Sequence, residues 1–346
     1  MKTAELDFAF RFGEHEIRRG TNRRVDLEFV RLPAQARLAI PVQVIVGAEA
    51  SPSTPVVWLS GAIHGDELNG VEIISRVLGR LDPTLMGGTV LAVPVVNIFG
   101  FAFQERYLPD RRDLNRSFPG SARGSLASRL AHFFFENIVE PSTHGIDLHT
   151  GSNHRTNLPQ VRADLERADT RGLAQSFGAP VMIHGGAPTG SLRAAAIKEG
   201  KPILVYEAGE PMRFDRPAID LGVDGVLRVL AALGVAPSSA APGPPPAPSH
   251  LVETRRWVRS PLSGLFSAEV ELGDTVRKGG TLGRVYEPLG SKKRVVKAPM
   301  SGIVIGHTNN PLAYQGDALV HLGTLREDEA AGERPREQKV DRGGSS

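Results

Sequence analysis

Short apolar runs alternate with segments of helical periodicity through the first two thirds of this 346-residue chain. "VVWLSGAI" precedes a segment over 66–81 with apolar residues on one helical face, and "GTVLAVPVVNI" precedes a helical segment over 124–140. "GIDLHTG", "APVMIHGG" and "KPILVYEAGE" are further predicted strands, and a last helix is predicted over 217–234. This alternation predicts an α/β fold class, with a mixed, largely parallel sheet covered by helices on both faces.

A proline-rich segment divides the chain. Residues 236–250, "APSSAAPGPPPAPSH", have almost nothing to bury, and their composition predicts an extended, semi-rigid linker. We therefore expect a first domain over 1–235 and a second over 251–325. The stretch over 326–346 is highly charged with hardly any apolar residues, which predicts a disordered tail.

The second domain contains an internal repeat, in which 259–285 aligns without a gap with 297–323. Short apolar runs between Gly and Pro predict a small all-β sandwich, and the two halves resemble the biotinyl/lipoyl-type domain. Carriers of that type display a lysine, usually flanked by methionine, between the halves. Here that region reads "YEPLGSKKRVV", with Lys292 and Lys293 but no methionine. We therefore expect a structural appendage rather than a carrier of a modified lysine.

Charge and composition exclude several functional classes. The net charge is only +3, from 41 basic and 38 acidic side chains, and no basic stripe is present, so we expect no nucleic-acid or membrane partner. No apolar run reaches the roughly 18 residues of a membrane span, and the N-terminus lacks the apolar core of a secretory signal. Cysteine is absent, which excludes disulfides and thiolate ligands and fits a cytoplasmic location.

The stretch "GAIHGDELNG" lies where a predicted strand gives way to a helix. His64 and Glu67 both have access there to the cleft beyond the strand's carboxyl end, where open α/β sheets bind ligands. An imidazole and a carboxylate suit zinc, and a catalytic zinc site needs three protein ligands plus water. The pair alone leaves open a surface loop whose glutamate complements the helix dipole. Asp66 is predicted either to serve the start of the helix or to contact the ligand side chains without binding the metal itself.

Two further stretches supply candidates for such a site. In "DLHTG", Asp147 and His149 face the same side of a strand, so His149 is a candidate third ligand and Asp147 its tautomer-fixing acceptor. An ordinary core histidine is the alternative. In "VYEAGE", Glu207 ends a strand and is either a paired structural residue or a general base, with Glu210 as a nearby competitor.

A fourth stretch, "RYLPDRRDLNRSFPG" over 106–120, holds four arginines and an asparagine. It is either a solvated charged loop or an anion clamp, since guanidinium groups bind carboxylates in a bidentate manner. Each stretch is weak alone. The occurrence of all four at strand ends or loops favours one functional site.

The order H-x-x-E, D-L-N-R, D-L-H and a late strand-end glutamate resembles the succinylglutamate desuccinylase/aspartoacylase family. That family is a branch of the zinc carboxypeptidase-like fold. The resemblance covers roughly 40–235, and the C-terminal β unit is similar to an appendage of the family's bacterial deacylases. It implies one zinc ion per chain, held by His64, Glu67 and His149.

The resemblance also implies the other roles. Glu207 would be the general base toward the attacking water and then the proton donor, and Asn115 and Arg116 would hold the substrate's carboxylate. Arg106 would polarise the scissile carbonyl. Two arginines of the same loop compete for that last role: Arg111 and Arg112.

The implied function is zinc-dependent hydrolysis of a small N-acyl amino acid of N-acetyl or N-succinyl type, with N-acetylated diamino acids among the candidates. A metallocarboxypeptidase acting on peptides is the alternative enzyme, and a non-catalytic binding protein is the alternative from another class. The coincidence of three ligands with Glu207 argues against the latter. The expected partner is a small molecule, and a homo-oligomer is compatible with the sequence.

Overall fold

A computed structural model describes residues 8–32, 34–290 and 292–325. The chain divides into two compact units, and the boundary along the sequence falls between Ser249 and His250. Most of the proline-rich segment therefore belongs to the first unit, where Arg228 Nε donates a hydrogen bond to the Gly243 carbonyl (3.0 Å). The tail predicted over 326–346 lies outside the described residues.

Strands and helices alternate along most of the first unit. Its described strands are β1 (Ala9–Phe12), β2 (His15–Arg18), β3 (Thr21–Arg31), β4 (Arg37–Val46), β5 (Val56–Gly61), β6 (Thr89–Val93), β7 (His144–His149), β8 (Arg155–Ala163), β9 (Val181–His184) and β10 (Ile203–Gly209). Its described α-helices are α1 (Asn69–Leu78), α2 (Ile98–Phe103), α3 (Leu126–Phe134), α4 (Ala168–Phe177), α5 (Leu192–Lys198) and α6 (Arg216–Ala232). In the described residues, no helix is both long and apolar enough to cross a membrane.

Eight of these strands form one mixed sheet in the order β9-β8-β10-β7-β5-β6-β4-β3, while β1 and β2 form a separate antiparallel pair. Strands β6, β5, β7 and β10 run parallel at the centre. Strand β8 pairs antiparallel with β10 and parallel with β9, and β4 pairs antiparallel with both β6 and β3. The predicted α/β architecture with a mixed sheet is confirmed. The carboxyl ends of β5, β7 and β10 therefore share one edge, where ligands of open α/β sheets bind.

Helices cover both faces of this sheet. On one face, α3 and α5 bury Phe134 and Leu192 in a cluster that includes Trp58 of β5. On the other face, α4 packs against β10, where the rings of Phe177 and Tyr206 lie 4.9 Å apart. Both faces of the central strands are thus removed from water, which explains why those strands are nearly continuous apolar runs.

Some predicted elements differ from the observed ones. The helix predicted over 66–81 begins only at Asn69, because the residues before it form the loop after β5. The helix predicted over 124–140 is α3 followed by a π-helical turn over Phe135–Val139. Strand β8 and helix α5 are absent from the predicted elements.

The second unit consists of β11 (His250–Arg259), β12 (Gly264–Ala268), β13 (Thr275–Val276), β14 (Thr281–Tyr286), β15 (Lys293–Lys297), β16 (Gly302–Thr308), β17 (Leu312–Ala313) and β18 (Ala318–Leu325). They pair in the orders β13-β16-β18-β11 and β15-β14-β12-β17, all antiparallel. Phe266 and Leu282 of one sheet share an apolar core with Val304 and Leu322 of the other. The sequence repeat therefore corresponds to two copies of a strand, short strand and strand.

Candidate metal centre

The loop between β5 and α1 carries His64 and Glu67. Its backbone passes so close to helix α2 that a Cβ atom on Gly65 would lie 1.9 Å from the carbonyl carbon of Gly100. Glycine is therefore required at this position, because no side chain fits between the two backbones. The Glu67 amide donates to the His64 carbonyl (3.1 Å), which closes the turn that places both side chains on one side.

The structure brings His64, Glu67 and His149 together, with one potential ligand atom from each within 4.8 Å of the others. His149 lies at the end of β7, beside the end of β5 in the same sheet. All three side chains are buried. Two imidazoles and one carboxylate are a donor set that a catalytic zinc site uses. The sequence prediction of this ligand group therefore agrees with the geometry.

Both histidines point Nδ1 toward Glu67. His149 Nδ1 is hydrogen bonded to Glu67 Oε2 (2.8 Å). His64 Nδ1 lies 2.8 Å from Glu67 Oε1, but the orientation does not form a hydrogen bond, so this buried nitrogen has no hydrogen-bond partner in the described part of the chain. A buried imidazole nitrogen that lacks a hydrogen-bond partner and faces two other potential ligand atoms is suited to bind a metal ion.

The opposite nitrogens of the two rings are held by aspartates. Asp147 Oδ2 lies 2.8 Å from His149 Nε2, and Asp113 Oδ1 lies 3.1 Å from His64 Nε2. Ser60 Oγ in turn donates to Asp147 Oδ1 (2.8 Å). Carboxylates on the far side of ligand histidines fix the tautomer and orient the ring. Asp147 thus has the predicted contact, whereas Asp113 was missed although it opens the quoted "DLNR" motif.

The charges of the centre stabilise one another in the metal-free state. Burial favours neutral Glu67, but His64 and His149 outweigh burial and lower the pKa of its carboxyl far below the usual range. Burial also disfavours charged His149, yet Asp147 and Glu67 raise its pKa well above 6.5. A proton thus occupies the site when no metal does, and a cation that binds there must displace it.

Arg106 is the arginine that reaches the centre. Its Nη1 donates to Glu67 Oε1 (3.1 Å) and its Nη2 donates to Asp113 Oδ2 (3.0 Å). Arg111 is exposed in a left-handed turn with φ of 60°, and Arg112 is exposed with its Nε 3.9 Å from Asp110. Of these three arginines, Arg106 is the one in contact with the ligand group, and its predicted role at the scissile carbonyl stays a prediction.

Asn115 and Arg116 follow Asp113 in a 3₁₀ turn over Leu114–Arg116. Asn115 Oδ1 accepts a hydrogen bond from the Leu192 amide at the start of α5 (2.9 Å). The side chain of Arg116 is exposed, and its Nη1 donates to the Asn115 carbonyl (2.6 Å). Their predicted contact with a substrate carboxylate stays a prediction.

Glu207 lies two residues before the end of β10, in parallel register with His149. Arg162 Nη1 lies 3.1 Å from its Oε1, and Asn157 Nδ2 donates to its Oε2 (2.8 Å). Both partners come from β8. No sequence pattern predicted these two partners, since the proline and polar residues of "RTNLPQVRA" argue against a strand. The competitor Glu210 lies in the following loop and pairs with Arg213 (2.9 Å).

A mixed α/β sheet that gathers two imidazoles, a carboxylate and an arginine at the carboxyl edge of its strands has the donor set of a metallohydrolase. The model of the succinylglutamate desuccinylase/aspartoacylase catalytic domain matches residues 53–233, and the chain belongs to this family. It is therefore a deacylating amidohydrolase.

Similar proteins and solved structures align with most of this chain. The N-alpha-acetyl-L-2,4-diaminobutyric acid deacetylase of Halomonas elongata is 28% identical over 86% of this chain and 91% of its own length. A succinylglutamate desuccinylase/aspartoacylase of Rhodobacter sphaeroides is 27% identical, with a TM-score of 0.80 over 94% of this chain and 100% of that one. The ectoine utilization protein EutE (DoeB) of Ruegeria pomeroyi, 23% identical, has the same fold, with a TM-score of 0.78 over 88% and 95% of the two chains.

Proposed function

We propose that the chain is a zinc-dependent hydrolase that cleaves the amide bond of a small N-acyl amino acid. The observation that carries this proposal is the buried group of His64, Glu67 and His149 with Arg106 in contact with it. When bound, zinc supplies a Lewis acid and brings the pKa of water to about 7. The proposal includes a zinc carboxypeptidase-like fold for this domain. It also includes one zinc ion per chain, bound by the ligand group.

Glu207 is the general base of this proposal. It lies on the strand next to His149 and at the same level of the sheet, so a water that reaches the ligand group also comes within reach of its carboxylate. Asn157 and Arg162 hold both oxygens of Glu207 and so orient the carboxylate. Glu207 takes the proton of the attacking water and returns it to the leaving amine.

Arg106 stabilises the charge that develops on the scissile carbonyl oxygen. Its guanidinium is mostly buried and held by two carboxylates, so it is preorganised beside the ligand group. A fixed donor of this kind typically contributes roughly 3 kcal/mol to transition-state stabilisation. The products are a carboxylic acid and a free amine.

Asn115 and Arg116 are proposed to bind the carboxylate of the substrate. They lie in the turn that starts at Asp113, and Arg116 presents an exposed guanidinium suited to a bidentate contact. An N-acyl amino acid satisfies this clamp. The Halomonas elongata relative, by its name, acts on an N-acetylated diamino acid, which makes such compounds the first to test.

The proposal also includes expectations about the two domains, the cellular location and the size of the substrate. The first domain, over 1–235, would carry the chemistry, and the β domain over 251–325 would be an appendage without a modified lysine. A cytoplasmic location and a small-molecule substrate fit this proposal. Peptide cleavage by a metallocarboxypeptidase would use the same ligand group, so the substrate panel must include peptides.

The decisive experiment combines metal analysis with a panel of N-acetyl amino acids, N-succinyl amino acids and short peptides, scored by release of free amine. We expect about one zinc per chain, as three protein ligands require, and release of amine from N-acyl amino acids. Release from peptides alone would replace the proposal with the carboxypeptidase. Purified protein that takes up no metal, with full activity, would refute the mechanism.

A further inference from the structure

Four residues of the centre form a closed ring of polar contacts. His64 Nδ1 faces Glu67 Oε1 (2.8 Å), and Arg106 Nη1 donates to that same oxygen (3.1 Å). Arg106 Nη2 donates to Asp113 Oδ2 (3.0 Å), and Asp113 Oδ1 lies 3.1 Å from His64 Nε2. One carboxylate, that of Asp113, therefore touches both a candidate ligand and the arginine assigned to the carbonyl oxygen.

We propose that Asp113 is a positioning residue that couples the metal ligand His64 to Arg106, so that both are oriented by one carboxylate. This inference rests on the proposed function. Asp113 does not touch the reacting atoms. It acts through two groups that do, one from each of its oxygens.

The two contacts of Arg106 are unequal in one respect. Glu67 Oε1 is shared between Arg106 and the ligand group, so a cation bound there competes with the guanidinium for that oxygen. Asp113 Oδ2 lies outside the ligand group, so the contact with Arg106 Nη2 is free of that competition. Asp113 thus keeps Arg106 at the site while leaving Nη1 available to a carbonyl oxygen.

Asp113 also has a local structural role that must be separated from this coupling. Its Oδ1 accepts the Asn115 amide (2.8 Å) and so caps the 3₁₀ turn. Asparagine caps helix starts about as well as aspartate, so Asp113→Asn keeps the cap and removes the charge. Asp82 is a matched control, because it caps a second 3₁₀ turn through the Thr84 amide (2.9 Å) and is no part of the ring.

The first arm of the test is zinc affinity, measured by competition with a chelator and without any substrate. We expect Asp113→Asn to weaken zinc binding by about 10–100-fold, the usual effect of losing the partner of a ligand histidine. Asp82→Asn should bind zinc as the unmodified chain does. Equal affinity in Asp113→Asn and the unmodified chain would overturn the contact with His64 as a functional one.

The second arm measures kcat and KM at saturating zinc on the best substrate of the panel, for Asp113→Asn, Arg106→Lys and the double variant. We expect Asp113→Asn to lower kcat at least tenfold with KM within threefold, and the double variant to lose little more than Arg106→Lys alone, since coupled residues are not additive. Effects that multiply, or an unchanged kcat, would overturn the coupling.

Two further measurements keep the outcomes distinct. If Asp113→Asn fails to fold by circular dichroism, Asp113→Ser, which also caps, replaces it. If the unmodified chain binds zinc but releases no amine from any N-acyl amino acid, the proposed function fails. The zinc arm still decides whether Asp113 positions His64.

Discussion

The site contains two glutamates in different surroundings. Glu67 belongs to the ligand group, which we call the metal end, and Glu207 is the proposed general base, which we call the base end. At the metal end, the Glu67 side chain is 2% exposed and meets two imidazoles, the Arg106 guanidinium and the Thr150 amide (3.1 Å). At the base end, the Glu207 side chain is 17% exposed and meets one guanidinium and one neutral amide. A buried carboxylate needs several positive partners, whereas one at the rim keeps access to water and protons.

This difference is consistent with the separate tasks proposed for the two glutamates. The oxygens of Glu67 face nitrogens that a metal ion would replace as partners, so Glu67 is suited to ligation. Asn157 and Arg162 of β8 hold the side chain of Glu207, which lies beside the ligand group without belonging to it. In the proposed mechanism, we therefore expect proton transfer and metal binding to be separable by substitution.

Removal of a ligand should have the largest effect. We expect His64→Ala to lose bound zinc and to lower kcat/KM by roughly 10⁴-fold or more, because the Lewis acid supplies much of the rate acceleration. Metal content and amine release measure the two consequences. His132→Ala, at a half-buried histidine of α3 near Glu136, is the control and should change neither.

Substitution at the other end should separate chemistry from metal binding. Glu207→Gln keeps the shape and the contact with Asn157 but removes the base, so we expect kcat to fall about 10²–10⁴-fold with zinc retained. Glu210→Gln, in the next loop, serves as the control. Loss of zinc from Glu207→Gln would show that the two ends are not independent.

A smaller effect is expected at the outer contact of His149. Asp147→Asn leaves the ring in place but removes the carboxylate at Nε2, and we expect zinc affinity to fall by about 10–100-fold. Chelator competition measures it. An unchanged affinity would mean that burial alone orients His149.

The backbone at the metal end can be tested by stability. Gly65→Ala forces a Cβ against the Gly100 backbone, and we expect a loss of about 1–3 kcal/mol in the free energy of unfolding, as overpacking costs. Gly172→Ala in α4, where a Cβ meets nothing within 4 Å, should instead stabilise the chain by about 0.5–1 kcal/mol. Urea unfolding of both variants gives the comparison, and equal changes would contradict it.

The smallest expected effect is a change in pH dependence. Without metal, the lowered pKa of Glu67 stabilises the fold above its ordinary value of 4.5 and is lost on acidification. The raised pKa of His149 stabilises the fold below 6.5, and that contribution is lost as pH rises through the folded value. For the metal-free protein, thermal unfolding should therefore show a Tm that declines both when the pH is lowered and when it is raised. Saturating zinc should abolish the alkaline decline, because it replaces the proton.

Residues at the ends of apolar strands were predictable from the sequence. His149 and Glu207 each follow a short run that predicts a buried strand, and His64 follows another such run after a short turn. Parallel strands bring such ends together, so the ligand group follows from the pattern. The helix predicted over 66–81 was predicted to begin too early, because its apolar periodicity extends into the loop that carries His64 and Glu67.

Other residues of the site depend on tertiary structure. Strand β8 contains Pro159 and charged residues, so local propensity hides it, and with it the partners of Glu207. The contact of Arg106 with the ligand group depends on the path of an irregular loop, in which Arg111 has a left-handed backbone. Asp113 was visible in "DLNR", but only the folded chain shows which ring it contacts.

The parallel register of β7 and β10 sets His149 directly beside Glu207, and this has a consequence for how the site tolerates change. Neighbouring strands are about 4.8 Å apart, fixed by main-chain hydrogen bonds whatever side chains surround them. Substitutions that loosen the interior would thus leave the interval between third ligand and base nearly intact. A single inserted residue within either strand would turn one of the two side chains to the opposite face. The spacing is robust to altered composition and intolerant of altered length.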